Sequence, residues 1–283
     1  MKTAVVTVAH GRHGHLRRQL RGLRLSAEQP DTHIVVALAD PAIAGVVREE
    51  NAAATVLECA AGPRLPLAMA RNLGADAALD AAPELIVFLD VDCIPSPRLI
   101  ARYRAAADHG DHRDALLCGP VTYLPPPGTR GYPLPVPDDA IDPHPARPSP
   151  PGDTVVCTTD YALFWSLSFA VTADTWRTVG GFCEEYQGYG GEDTDFARCA
   201  AARNVPMRWV GGAHAFHQHH AVSNPPVQHL ADIVRNARLF HRRWGEWPME
   251  GWLSTFEDRG LITRDPDGTP HVAGTRPGRA GLV

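Results

Sequence analysis

The chain is predicted to be an α/β protein, a mostly parallel central sheet flanked by helices. Three observations carry that expectation. Short β-branched runs alternate with helical stretches through the first 108 residues, the pattern of a parallel sheet with right-handed crossovers. The 283 residues are 44% hydrophobic, enough for one sizeable core. Asp40, Asp90 and Asp92 all fall at the carboxyl ends of predicted strands, the edge where open α/β sheets bind ligands.

The elements follow in order. "TAVVTVAH" (3–10) reads as a buried strand, because β-branched side chains suit a pleated surface. "GRHGHLRRQLRGLRLS" is a turn and then a helix, with Leu16, Leu20 and Leu23 at helical spacing. "THIVVALAD" (32–40) and "ATVLECA" (54–60) are the second and third strands, and the Ala-rich 66–82 is helical. "ELIVFLDVD" (84–92) is the fourth strand, 96–108 a helix, and "LLCGPVTYL" (116–124) a further strand. Residues 125–153 are dense in proline, which fixes φ and removes backbone donors, so they are expected to form a long loop or flap. Beyond it, 191–204 reads as a helix, 205–211 as a strand and 227–245 as a long amphipathic helix. The expected organisation is one domain over 1–262, divided into 1–124, the Pro-rich 125–153 and 154–262, with a flexible tail over 263–283 that lacks apolar periodicity.

Composition excludes several classes. The 27 basic and 32 acidic residues leave a formal charge of −5, so no electrostatic case exists for nucleic acid as a main partner. The apolar stretch near the N-terminus is too short for a signal core or a membrane span, and a cytoplasmic protein without a transmembrane segment is expected. The six cysteines form no CxxC pair and predict neither a zinc site nor a disulfide framework.

Candidate chemistry begins with "FLDVDCIPS". If strand geometry continues, Asp90 and Asp92 point the same way. Two carboxylates so close repel unless a cation lies between them or one takes a proton. Upstream lies "LAMARNLGADAA", and some ninety residues downstream lies "GGFCEEYQGYGGEDTDFARCAAARN".

These three segments together, in this order, resemble a glycosyltransferase of the GT-A fold, close to glycosyltransferase family 2. The first is similar to that family's Arg-Asn-x-Gly segment and "FLDVDCIPSPRLI" to its metal-binding DxD strand. The Glu-Asp block also resembles that of the β-1,4-galactosyltransferases and the polypeptide N-acetylgalactosaminyltransferases. The likeness covers residues 1 to about 220.

The resemblance implies an inverting, metal-dependent transferase moving a hexose from a nucleotide-diphosphate sugar to a hydroxyl acceptor. UDP-sugar is the preferred donor and GDP-mannose the alternative. Asp92 is implied as a direct ligand of Mn²⁺ (or Mg²⁺), with Asp90 on the ribose or a metal-bound water. His217 is implied as a second ligand and His214, three residues earlier, as one that could share the site; His219 and His220 are lesser candidates. Asp193 is implied as the general base, with Glu192 binding the acceptor or holding the base. His10, Arg12 and Asp40 are placed around base, ribose and diphosphate. Arg71 is placed on a phosphate or Asp90, Asn72 beside it, and Tyr189 against the sugars. Gly191, with Gly190, lets backbone approach a ligand closely. Asp195 is expected to serve structure, and Trp165 and Trp176 to be core.

Two other readings compete. A sugar-1-phosphate nucleotidyltransferase would resemble a Gly-rich "GxGTR" segment after the first strand, which "VAHGRHGHL" lacks. A non-catalytic nucleotide or glycan binder would have kept the fold without needing Asp92, Asp193 and His217 together. Neither the sugar nor the acceptor is legible, since pocket shape decides both.

Overall fold

The computed structural model describes residues 1–221 and 223–274. The first half alternates as expected: β1 (Thr3–Ala9), α1 (His13–Arg24), β2 (Thr32–Leu38), α2 (Ala42–Glu49), β3 (Thr55–Cys59), α3 (Leu67–Asp80) and β4 (Leu85–Leu89), with α2 the one helix that was not anticipated. There follow β5 (Cys93–Pro95), α4 (Leu99–Asp108), β6 (Leu116–Cys118) and β7 (Val121–Tyr123). The second half holds β8 (Val155–Thr158), β9 (Ser168–Thr172), α5 (Ala173–Val179), α6 (Glu192–Ala202), β10 (Met207–Val210) and β11 (Ala215–His217). It closes with α7 (Leu230–Trp244), α8 (Glu250–Asp258) and a hairpin of β12 (Ile262–Arg264) and β13 (Pro270–Val272).

The main sheet has eight strands in the order β3-β2-β1-β4-β9-β6-β10-β8. Its first four strands are all parallel, and β9 runs against both β4 and β6. Both faces are covered, so β4 is apolar throughout and its alternation is between two cores rather than between core and water. Ile86 and Phe88 enter one core with Val6, Phe169, Trp176, Phe182 and Phe196. Leu85, Val87 and Leu89 enter the other with Leu99 and Tyr103. Phe88 stacks on Phe169 with centroids 4.6 Å apart, a contact that fixes β9 against β4 across the change in direction. No helix among the described residues is long and apolar enough to cross a membrane.

Three expectations change. The strand expected over 84–92 stops at Leu89: Cys93 N donates to Asp90 O at 2.8 Å, so residues 90–93 make a turn and Asp90 and Asp92 no longer share a strand face. The run 116–124 is two strands, because Gly119 and Pro120 break it and β7 leaves the main sheet to pair with β11. A Cβ at Gly119 would lie 2.1 Å from Ala213 O, so only glycine permits that crossing. Part of the tail expected to be flexible forms the β12–β13 hairpin; residues 275–283 lie outside the described residues.

Candidate active site

The small sheet β5-β11-β7 builds the first half of the site. β11 pairs antiparallel with β5 and sets His217 opposite Cys93, next to Asp92. Gln218 N then donates to Asp92 O at 2.7 Å. The result is a cluster of Asp92, His217 and His220 whose ligand atoms all lie within 4.8 Å of one another. Asp92 Oδ2 is 3.5 Å from His220 Nε2, while Oδ1 is 3.8 Å from His15 Nε2 and 3.7 Å from Arg12 Nε. Asp92 Oδ1 is buried with no hydrogen-bond partner among the described residues. Burial lowers the His217 pKa to about 4, so its imidazole is neutral at physiological pH with a lone pair free. A carboxylate and imidazole nitrogens at this spacing fit a divalent cation such as Mn²⁺.

His214 does not join the cluster. Its Nε2 is 2.7 Å from Thr122 Oγ1 on β7, within the core. Three residues of extended chain put His214 and His217 on opposite faces. His220, the lesser candidate by sequence, stands there instead, and His15 on α1 was not anticipated.

The second half is a cleft of about 810 Å³ lined by Arg71, Asp90, Trp165, Tyr189, Asp193 and Trp252, among others. Tyr123 lines it too and stacks on His217 at 4.5 Å, which joins cleft and cluster. Arg71, on α3, is the tie between the sequence motifs. Its Nη2 is 3.3 Å from Asp90 Oδ1 and its Nη1 3.2 Å from Glu192 Oε1. One buried guanidinium thus holds an acid from the end of β4 and an acid from the start of α6. Glu192 Oε2 is buried and has no partner among the described residues.

Asp193 follows on the first turn of α6. Burial, then the Glu192 charge, raises its pKa to about 7, against hydrogen bonding from Thr194 and the charge of Arg71. Burial likewise raises Asp90 to about 6, with Arg71 opposing. A carboxylate raised toward neutrality in a cleft is suited to accept a proton, which marks Asp193 as the candidate base.

The turn into α6 needs its glycines: Gly190 and Gly191 have φ of +90° and +94°, where a side chain is strained. Asn236 on α7, fully buried, fixes this turn by donating to Gly190 O at 2.7 Å and to Gln187 O and Tyr189 O at 3.2 Å. Nothing in the sequence marked Asn236, because its partners lie more than forty residues away. Asn236→Ala is expected to destabilise the protein by about 1–3 kcal/mol, the cost of removing a buried amide that donates to three part-buried carbonyls. Urea unfolding measures it, and an unchanged midpoint would remove Asn236 from this role.

The remaining expected residues sort by place. Tyr189 is on the cleft wall, stacked on His229 at 4.5 Å and beside Trp252 at 6.0 Å. Trp252 was not anticipated. Asn72 is turned away: its side chain donates to Phe182 O and accepts from Phe182 N, both at 2.9 Å, so it holds the Gly181–Phe182 turn. Asp40 Oδ2 accepts from Gly11 N at 2.8 Å and meets His13 Nε2 at 2.8 Å, while His10 Nδ1 lies 2.8 Å from Leu38 O. These residues form the β1–α1 corner, and neither Asp40 nor His10 lines the cleft. Asp195 is fully buried against Tyr186, Arg243 and Trp244, a structural role as expected. Trp176 is core, but Trp165 is half-buried and lines the cleft.

Comparison with known proteins agrees with this architecture. Residues 152–221 match the family model described as the N-terminal domain of galactosyltransferase. No curated protein sequence matches the chain. Among solved structures, GalNAc-T7 with UDP, GalNAc and Mn²⁺ superposes at a TM-score of 0.54 and 14% identity, covering 78% of this chain and 43% of that one. TarS 1–349 of S. aureus in complex with UDP-GlcNAc gives 0.57 and 14%, covering 84% and 66%. Longer TarS gives 0.59 and 14%, covering 92% and 44%. The chain therefore spans less than two thirds of the length of these three structures. At such identities the likeness is one of fold, and the chain has the GT-A fold of glycosyltransferases.

Proposed function

We propose that the chain is an inverting, metal-dependent glycosyltransferase that moves a hexose from a nucleotide-diphosphate sugar, a UDP-sugar by preference, to a hydroxyl acceptor. The observation that carries this reading is the tie through Arg71. It holds the donor-side Asp90, two residues from the Asp92 cluster, against Glu192, the neighbour of a base-competent Asp193. The similar structures bound to UDP and UDP-GlcNAc support the donor class, and the one with Mn²⁺ supports the cation.

Asp92 and His217 would hold the divalent cation, whose chemistry there is to neutralise charge on the diphosphate leaving group. The chain's own groups do the rest. Asp193 takes the proton from the acceptor hydroxyl as its oxygen attacks the anomeric carbon and the bond to the diphosphate breaks. Glu192 Oε2, buried and without a partner among the described residues, is available to a hydroxyl in the cleft, and Arg71 holds the other oxygen at 3.2 Å. Tyr189 and Trp252 offer ring faces to a sugar. A single displacement with one base inverts the anomeric centre.

Incubation with labelled nucleotide sugars and Mn²⁺, across a panel of hydroxyl acceptors, tests the reading. Label in a glycoside of inverted configuration supports it. Pyrophosphate exchange into nucleotide sugar would replace it by nucleotidyl transfer, and tight binding with neither transfer nor donor hydrolysis would replace it by a binding role.

A further inference from the structure

Arg147 is a buried charge with no ion-pair partner among the described residues. It lies in the Pro-rich segment yet is 5% exposed, and all three guanidinium nitrogens are buried without a hydrogen-bond partner among the described residues. No described carboxylate pairs with it. Its guanidinium lies between two indole faces, 5.0 Å from the Trp165 centroid and 4.7 Å from that of Trp209. The nearby polar groups do not relieve it. The Tyr103 hydroxyl is engaged with Ser168 at 2.9 Å. Burial raises the Cys118 thiol and the Tyr103 phenol, so neither supplies an anion. Trp209 Nε1 is itself a buried donor without a partner among the described residues. Donors are gathered where a guanidinium needs acceptors, and two cation–π contacts return only part of the cost of desolvating it.

The cleft shows the complementary want. Its two lining guanidinium groups are both committed to the chain's own acids: Arg71 to Asp90 and Glu192, and Arg198 to Glu246. Arg71 is held by two acids, whereas Arg198 is held by one exposed acid and keeps its Nε without a partner among the described residues. Trp165 joins Arg147 to the cleft: the guanidinium lies over its ring, and the same residue lines the cleft. His144 of the same segment meets the Trp165 ring edge-on at 5.0 Å, so 144 and 147 grip that indole together.

We infer that Arg147 is an anion-binding residue of the cleft, covered by Trp165 in this conformation, which meets a phosphate or carboxylate of the donor when the indole swings off its face. The inference rests on the nucleotide-sugar reading for its ligand and gives the cleft a guanidinium that no described acid holds. A guanidinium forming paired hydrogen bonds to an oxyanion gains what its present site withholds.

Arg147→Met, similar in length and without charge, separates this role from packing. The variant is expected to melt at a higher temperature than wild type, since an unpaired buried charge is replaced by an apolar chain. It is also expected to bind inorganic pyrophosphate, or UDP with Mn²⁺, about tenfold more weakly, with uridine binding unchanged. If the partner is instead a sugar carboxylate, UDP binding stays the same and a preference of wild type for UDP-glucuronate over UDP-glucose disappears. A lower melting temperature with every one of these affinities within about twofold of wild type would overturn the inference and leave Arg147 a core residue. Should Arg147→Met fail to fold, Trp165→Ala, which uncovers the guanidinium, is expected to tighten pyrophosphate binding, and unchanged or weaker binding overturns it. Wild-type protein that binds pyrophosphate through Arg147 but not UDP would sink the nucleotide-sugar reading alone. Wild type that binds neither sinks both.

Discussion

Asp193→Asn is expected to lower turnover by about 10²–10⁴-fold, the usual contribution of a general base, with donor affinity nearly unchanged. Asn keeps the size and the hydrogen bond from Thr194 N, 2.8 Å from Asp193 Oδ1, but cannot take a proton. The pH dependence gives a second signature. Asp193 has its pKa raised to about 7, chiefly by burial, and must be ionised to act, so the wild-type rate should rise with pH and level off above about 7. The residual rate of the variant should lack that limb. Stability moves the other way. A carboxyl whose folded pKa lies above its unfolded value is penalised as it ionises in the folded state, so wild type loses stability as pH rises from about 4 and carries the full penalty above about 7. Asp193→Asn should therefore melt higher than wild type at pH 8 and no higher at pH 3.5. Turnover within a few-fold of wild type would move the role to Glu192, whose side chain is committed to Arg71.

Asp92→Asn is expected to abolish measurable Mn²⁺ binding and, with it, Mn²⁺-dependent UDP binding. The argument is electrostatic. Asp92 supplies the only carboxylate of the Asp92–His217–His220 cluster, and an amide neither carries charge nor binds a hard cation comparably. The fold should survive, because the Asp92 contacts that position β11 run through its backbone carbonyl, which accepts from Gln218 N at 2.7 Å. His217→Ala should weaken binding strongly and His214→Ala little, since His214 is bonded to Thr122 away from the cluster. Calorimetry with Mn²⁺, with and without UDP, reads all three. Equal Mn²⁺ affinity in Asp92→Asn and wild type would end the assignment, and a His214→Ala loss equal to that of His217→Ala would restore the expectation drawn from sequence spacing.

By itself, the sequence determined the alternating elements of the first half except α2, because β-branched runs and Ala-rich helices are local signals that tertiary context had no reason to override. It also determined the acid positions, since Asp90, Asp92, Glu192 and Asp193 stand in recognisable segments of their own. What it could not determine was how those segments face one another. Asp90 and Asp92 looked like one pair on one strand face. The turn at 90–93 separates them, sending Asp90 to Arg71 and Asp92 to the histidines. Which histidine reaches Asp92 depends on the β5–β11 register, and hydrogen bonding between strands more than a hundred residues apart leaves no periodic trace. Trp165 and Arg147 made the same point from the other side. Trp165 in an apolar run reads as core, and nothing in the Pro-rich loop marked Arg147, yet packing puts the indole on the cleft and buries the guanidinium against it. Local chemistry is written in residue types and spacing, whereas burial and the neighbours that shift a pKa or leave a charge unpaired arise only when distant segments close on one another.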